Sequence, residues 1–430
     1  MLKKLLGFDP AKTTIKTEIF AGITSFLTMS YILAVNPSLF SNLEGMPQGA
    51  VFTTTAIVAV IATLIAAFAA KMPIGIAPGM GPNAFFVFTV CMGMGFSWQF
   101  AVTAILLEGL ILLLLTATNL RETVVNMLPV CLKQSITIGI GLFIAFVGLQ
   151  NAGIIVNDES TLVTLGSITE GNGLLSLIGL AITAPLVIKN VKGGLLIGIL
   201  ATTLIGIPMG ATHYQGLISA PQSPAPIFCQ FEWSSIFTMD RFVVVASFLF
   251  IDFFSLTGSA VGACLKGGLV DKNGQIPRLK QVFFADSIGT IASAVFGTSA
   301  SCTFVESSSG MAQGGKTGLT ALTIAICFAA ALFLSPIFLA IPSAATSPIL
   351  IIVGLMMFSS VKELHLDDFS EAIPAFIMII TMPLAYSISD GILIGIMSYT
   401  VINLLSGNFR KISLVMYVLS ALAALKYILL

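Results

Sequence analysis

The chain has 430 residues, 57% of them hydrophobic and 9% charged, against about 25% charged in an ordinary soluble domain. No water-soluble fold of this length hides so much apolar surface, and 19 basic residues against 19 acidic ones leave no net charge to argue for a nucleic acid or an acidic partner. What remains is a helical membrane protein, since a helix needs roughly 20 apolar residues to cross about 30 Å of hydrocarbon.

The opening MLKKLLGFDPAKTTIKTEIF is basic but has neither a long apolar core nor a small-residue cleavage site, so no removable signal peptide is expected. Apolar stretches between Gly, Pro and charged punctuation then predict seven spans, near 18–36, 51–70, 74–96, 99–118, 130–150, 173–189 and 193–208. A polar, proline-rich loop from Met209 to Met239 separates them from seven more, near 242–265, 282–297, 301–315, 319–339, 347–361, 372–387 and 391–405. The apolar tail from Ile412 to Leu430 either crosses the membrane or lies along it.

Basic residues are retained on the cytoplasmic side of short loops. Lys3, Lys12, Lys71, Arg121, Lys133, Lys192, Lys272, Lys316, Lys362 and Lys411 all fall on one side of this span list, whereas the loops 37–50, 151–172 and 209–239 hold acids and no Lys or Arg. Arg241 and Lys426 are the exceptions. The N-terminus and the end of span fourteen are therefore expected in the cytoplasm, with the chain in a bacterial inner membrane. Seven spans per half make the second half enter from the opposite side, as an inverted repeat requires.

Two spans read as broken. Span three carries MPIGIAPGMGPNAFF, where Pro73, Pro78 and Pro82 remove backbone donors and Gly75, Gly79 and Gly81 loosen the chain. Span ten, at the matching place of the second half, reads GTSASCTFVESSSGMAQGGKTG. Each is expected to hold an extended segment and a short half-helix. Irregular backbone at membrane depth needs protein or a polar cavity around it, and paired interruptions of this kind point to a transporter's binding site.

The acids within spans are the chemical candidates. Glu306 sits in SCTFVESSSG with no Lys or Arg before Lys316; it can exchange a proton and accept hydrogen bonds from ring N–H groups, or simply cap a half-helix. Asp252 lies in span eight with Ser255, Ser259 and Gly262 at helical spacing, a stripe suited to proton relay, ligand contact or a helix–helix hydrogen bond. Asn83, after Gly81 and Pro82, offers an amide that reads a ligand edge or satisfies the freed backbone. Glu108, beside Gly109, fits close helix contact or function. Asp390 fits a turn, a cap or a gating group, and Asp286, taken to begin span nine, a helix cap or function.

His213 and His365 are distant from one another, and HExxH and GxSxG motifs are absent, so the sequence offers no constellation for hydrolysis. Trp98 and Trp233 are expected as interfacial anchors. The six cysteines, with no CxxC pair, read as small buried hydrophobes rather than disulfides or metal ligands.

AGITSFLTMSYILAVNP from Ala21, APGMGPNAFF from Ala77, ADSIGT from Ala285, GTSASCTFVESSSGMAQGGKTGLTA from Gly297 and TSPILIIVGLMM from Thr346 resemble, along nearly the whole chain, the AzgA-like purine permeases of the nucleobase/cation symporter superfamily. LQNAGIIV, HYQGLISAPQS and PRLKQVFFADSI look more like guanine/hypoxanthine than adenine permeases. The resemblance implies an all-α fold of about 14 spans in a 7+7 inverted repeat. A core domain (1–129 and 240–340) would carry substrate past a gate domain (130–239 and 341–430) in an elevator-like movement. It implies proton-coupled uptake of guanine and hypoxanthine, with adenine, xanthine or uracil as alternatives; a channel or an intramembrane enzyme would be a different class.

In this family pattern Glu306 matches a substrate-contacting glutamate, Asn83 the asparagine of GxNAFF, and Asp390 an acidic gate position. Phe304, Ser307, Ala84, Asp252 and Ser255 complete the expected substrate site, with Glu306 and Asp252 as proton-coupling groups. One departure stands out: the family's F-D-x-x-G-T becomes Phe254-Ser255-Leu256-Thr257-Gly258-Ser259. Asp252 is expected to replace the missing acid from the same helix face, about 4.5 Å away along the axis. Pro82, where the family more often has Leu, is a second difference. The expected partners are a purine nucleobase, a proton, membrane lipid and, as one option, a second copy in a homodimer. Neither a cofactor nor a nucleic acid is expected.

Overall fold

The computed structural model describes residues 2–11, 13–118, 129–212, 216–234, 238–266, 269, 276 and 278–429, with side chains except at 2, 239, 253–258, 261, 262, 265, 266, 426 and 429. Lys12, Arg121, His213, Lys272 and the side chain of Ser255 thus lie outside it.

Helices dominate. The first half holds α1 (Leu2–Leu6), α2 (Ile15–Met29), α3 (Ile32–Phe40) and α4 (Gln48–Ile65, with a π turn Ala66–Ala70). Strand β1 (Ile76–Pro78) follows, then α5 (Met80–Ala84), which runs on as a π-helix over Phe85–Gly93. Next come α6 (Trp98–Ala117), α7 (Val130–Asn151), a hairpin of β2 (Ile155–Asp158) and β3 (Leu162–Leu165), α8 (Gly171–Ile188) and α9 (Gly194–Gly206). The second half has α10 (Met239–Lys266), α11 (Leu279–Phe296), β4 (Ser301–Thr303), α12 (Ser307–Ala312), α13 (Gly318–Ala331), α14 (Ser335–Leu339) and α15 (Ser343–Phe358). It closes with α16 (Phe369–Leu384), α17 (Ile388–Leu405) and α18 (Leu414–Leu429).

Hydroxyls and an acid mark several helix starts: Thr14, Ser97, Thr317, Asp368 and Ser387 each accept a hydrogen bond from a backbone N–H in the first turn, satisfying donors the helix leaves open. Among the described residues eight helical stretches are long and apolar enough to cross a membrane, from Ile15–Phe40 to Ile388–Leu405. That is fewer than fourteen; Met80–Gly93, Gly194–Gly206 and Phe369–Leu384 are apolar but under 18 residues. At 1.5 Å per residue the first of these reaches only about 21 Å.

Packing sorts the helices into two groups. In one, α2 lies on α12 and α13, α4 on α11 and α13, and α6 on α10 and α11. In the other, α7 packs on α15 and α16, α8 on α9 and α15, and α17 on α16 and α18. Lipid supplies no hydrophobic drive between helices, so close contact depends on small residues. A Cβ at Gly141 of α7 would stand 2.6 Å from the Gly354 carbonyl oxygen of α15, and one at Gly109 of α6 would stand 2.8 Å from the Ile291 side chain of α11.

The tail is a helix laid along α17. Ser420 donates to Thr400 Oγ1 at 2.6 Å, and the Tyr427 hydroxyl donates to Asp390 Oδ1 at 2.7 Å.

Three expectations need correction. Asp286 does not begin a helix: α11 starts at Leu279, so Asp286 is buried two turns in. Trp98 is buried, its indole nitrogen against the loop at Gly45, so it packs on protein instead of presenting its ring to lipid; Trp233 is exposed. All six cysteines are free, but Cys229 is exposed, in the loop between α9 and α10.

Candidate functional site

Strands β1 and β4 pair antiparallel, with Ile76 opposite Thr303, Ala77 opposite Cys302 and Pro78 opposite Ser301. The ribbon extends one bond at each end: Gly79 N donates to Ala300 O at 2.9 Å, and Phe304 N donates to Gly75 O at 3.1 Å. Backbone groups at depth must be paired, and each strand satisfies the other. Side chains complete the pairing. Thr63 of α4 donates to Ile76 O and accepts from Ile76 N, and Ser307 Oγ accepts from Gly75 N at 3.0 Å. Gly79 is needed here, since a Cβ would stand 2.5 Å from the Cys302 sulfur.

The two half-helices leave the ribbon at opposite ends, about 10 Å apart by strand rise. At one end Asn83, fully buried in α5, accepts from the Ser299 hydroxyl through Oδ1. Its Nδ2 has no hydrogen-bond partner among the described residues, leaving a buried donor whose desolvation is uncompensated, an arrangement that fits a ligand acceptor. Ala84 and Phe304 are buried as well.

At the other end Glu306 is half-buried at the start of α12. The Tyr31 hydroxyl donates to Glu306 Oε1 at 2.9 Å, and the Tyr31 and Phe304 rings lie 6.1 Å apart. Tyr31 occupies the break between α2 and α3, which turns its phenol toward α12. Ser25 of α2 also donates to Ser307 O at 3.4 Å.

Around β4 the acids gather. Helix α10 packs against β4, α5 and α12, and Asp252 on it is fully buried. Asp252, Asp286 and Glu306 all lie within electrostatic reach of Cys302. Ser301 donates to the Asp286 carbonyl oxygen at 3.0 Å. Glu306, Phe304 and Ser307 thus form one group and Asn83 and Ala84 another, with Asp252 and Asp286 alongside β4. Glu108 is buried on α6, whose Gly109 meets α11 at Ile291 and Thr290, and Thr290 shares a hydrogen bond with Ser301 of β4. Asp390 stands apart, in the first turn of α17 beside Tyr427. No group of three or more His, Cys, Asp or Glu among the described residues has metal-site geometry.

Sequence reasoning missed Tyr31, Ser299 and Glu18. Glu18 is fully buried. It accepts from Lys316 N at 3.1 Å, Thr317 N at 3.3 Å and the Thr320 hydroxyl at 2.6 Å, which anchors the loop between α12 and α13. Its signal was an acid at the start of the first span; that of Tyr31 was a lone phenol in SFLTMSYILAV, a stretch with no charged residue.

Residues 16–394 match the profile of the permease family. The chain is 43% identical over 409 residues to the guanine/hypoxanthine permease PbuO of Bacillus subtilis, covering 93% of this chain and 94% of that one. The chain belongs to the nucleobase permease family. This permease is also 38% identical over 428 residues to the adenine permease AdeP of Escherichia coli, covering 100% of this chain and 96% of the relative. Its fold is similar to that of the transmembrane domain of a cyanobacterium bicarbonate transporter, BicA, with TM-score 0.68 and 17% identity over 89% of this chain and 97% of that one. It is an integral membrane transporter, not an enzyme.

Proposed function

We propose that the chain takes up guanine and hypoxanthine together with a proton, by an elevator-like movement of core against gate. The observation that carries this reading is the β1–β4 ribbon, which presents a carboxylate at one end and an unsatisfied buried amide at the other. A neutral planar heterocycle needs directional hydrogen bonds and apolar walls rather than a counter-charge. Glu306 grips its N–H edge, Asn83 reads an acceptor, and Phe304, Ala84 and Ser307 line the site. Glu306 carries the coupling proton, with Asp252 as relay in place of the acid missing at Ser255.

The two packing groups support division into a core (1–129 and 240–340) and a gate (130–239 and 341–430). The antiparallel ribbon between spans three and ten suits a 7+7 inverted repeat of fourteen spans, spans three and ten being broken. Basic loops put the N-terminus in the cytoplasm, in a bacterial inner membrane. Adenine is a second reading, favoured by the likeness to AdeP.

Uptake of labelled guanine, hypoxanthine, adenine and uracil into cells lacking their own permeases, with and without a proton uncoupler, is the test. Accumulation of guanine and hypoxanthine that the uncoupler abolishes is expected. Adenine uptake alone would replace the substrate, and uncoupler-insensitive accumulation would remove the proton.

A further inference from the structure

We infer that residues 216–234, which lead along the chain from gate to core, form a strap that stays seated on the core throughout transport and moves with it. The inference rests on the reading of transport as a movement of core against gate.

The segment GLISAPQSPAPIFCQFEWS is built to lie extended. Pro221, Pro224 and Pro226 remove backbone donors and disfavour helix, and neither helix nor strand forms between Gly216 and Ser234. Partners come from the core instead. Ser219 N donates to Phe333 O at 3.1 Å, and the Ser219 and Ser335 hydroxyls lie 2.8 Å apart, at the junction of α13 and α14. Gln222 lies over the first turn of α4, where a Cβ at Gly49 would run into its side-chain amide. At the end of α11, Cys229 N donates to Val295 O at 2.8 Å, and the Phe228 ring meets Phe296 edge-on at 5.3 Å. Glu232 N donates to Thr103 Oγ1 at 2.8 Å, and its carboxylate accepts from Ser97, at the start of α6, and from Arg241, at the start of α10.

Ile227 fastens the middle of the strap. It is fully buried, in one apolar cluster with Phe52, Ala294 and Ala300. Its backbone presses on Gly297, where a Cβ would stand 2.2 Å from the Ile227 carbonyl oxygen. Gly297 closes α11, and the residues after it run into β4: Thr298 accepts from Asn36 at 3.1 Å, and Ser299 donates to Asn83. Lifting the strap would expose an apolar side chain, leave the Ser219, Cys229 and Glu232 amides without their acceptors, and loosen the chain that feeds β4. Upstream, Thr212 still donates to Thr203 O of α9 at 3.0 Å, so the passage from gate to core is complete by Ser219.

Two cysteine pairs in the full-length chain test this, each with Cys229→Ser to remove the exposed thiol. Ser219→Cys with Ser335→Cys ties the strap to the core; Ser38→Cys with Thr346→Cys, at hydroxyls 3.5 Å apart, ties α3 of the core to α15 of the gate. Uptake of labelled guanine, hypoxanthine and adenine into cells lacking their own permeases is compared before and after mild oxidation, with bridge closure read as loss of free thiols. The strap bridge should leave uptake unchanged, and the core–gate bridge should abolish it until dithiothreitol restores it. A strap bridge that reversibly abolishes uptake overturns the inference. Uptake that survives a closed core–gate bridge removes the movement of core against gate, and the strap's part in it, so the two failures are told apart. Hydrogen exchange on the unaltered protein needs no variant to fold and no bridge to close: the Ser219 and Cys229 amides should exchange at the same rate with and without whichever of the three bases is carried. Faster exchange with the base present means that the strap lifts, which also overturns the inference.

Discussion

The crossovers at β1 and β4 reach the same backbone geometry through opposite chemistries. Around β1 the helix is interrupted by subtraction: Pro73, Pro78 and Pro82 lack donors, and Gly75 and Gly79 lie where a Cβ would stand within 2.6 Å of a sulfur. Around β4 it is interrupted by addition: among the clustered hydroxyls Ser301 bonds the Asp286 carbonyl and Ser307 the Gly75 N–H. Only the second crossover holds an acid, and its half-helix is braced along α2 by Ser25, Tyr31 and Glu18. One end of the ribbon thus carries a carboxylate and the other a buried amide.

The sharpest break in that asymmetry is Glu306→Gln, expected to lower kcat/KM for purine uptake about 100-fold by weakening charge-assisted hydrogen bonds; uptake normalised to membrane protein level reads it. The braces come next. Glu18→Ala strips an acceptor from two backbone donors and should cost about 2 kcal/mol, seen as a lower Tm in detergent. Its counterpart on the other crossover is Thr63→Val, which leaves Ile76 N and O without their hydroxyl and should cost about 1.5 kcal/mol. Equal transport losses from Glu306→Gln and Asn83→Ala would erase the distinction between the two ends, because Asn83→Ala should raise KM only about tenfold, the worth of one neutral hydrogen bond.

The smallest effect lies far from both crossovers. Lys411 donates to Asp368 Oδ2 at 2.5 Å, and this bond, with those from Ser370, holds the Asp368 carboxyl at about 2, below its ordinary 3.8. A depressed carboxyl contributes stability above its unfolded value and loses it as pH falls. The Tm gap between wild type and Asp368→Asn should therefore be small at pH 6 and close as pH drops from 4 toward 2. A gap that widens on acidification would reverse the sign. The pair is exposed, so salt should shrink the gap as well.

Both interruptions were legible in the residues because each breaks a helix for local reasons, proline in one and clustered hydroxyls in the other. The acids Glu306, Asp252 and Asp286 were legible because carboxyls stand out in apolar segments. Asp286 was nonetheless misplaced: the Gly and Ser around it suggested a helix start, whereas α11 begins earlier and uses Gly289 to approach Ser301, where a Cβ would stand 2.5 Å from the hydroxyl oxygen. Trp98 was misread because interfacial placement follows from span ends, while its burial depends on the loop at Gly45. Tyr31 and Glu18 passed unnoticed because neither interrupts its helix pattern; their partners lie 275 and 298 residues away.

Composition, hydropathy and basic-residue bias were enough to establish a membrane protein with two helix breaks and one outstanding carboxylate. These are local properties, since desolvation of backbone and charge acts on each residue wherever it lies in the bilayer. Which groups meet was decided by tertiary packing alone. The pairing of β1 with β4, the Tyr31 phenol on Glu306 and the Glu18 clasp on the Lys316–Thr317 backbone each join segments more than 200 residues apart. Hydrogen bonds are short-ranged and directional, so no periodicity along the chain encodes them; they exist only once α2, α5 and α12 have been brought to the same place.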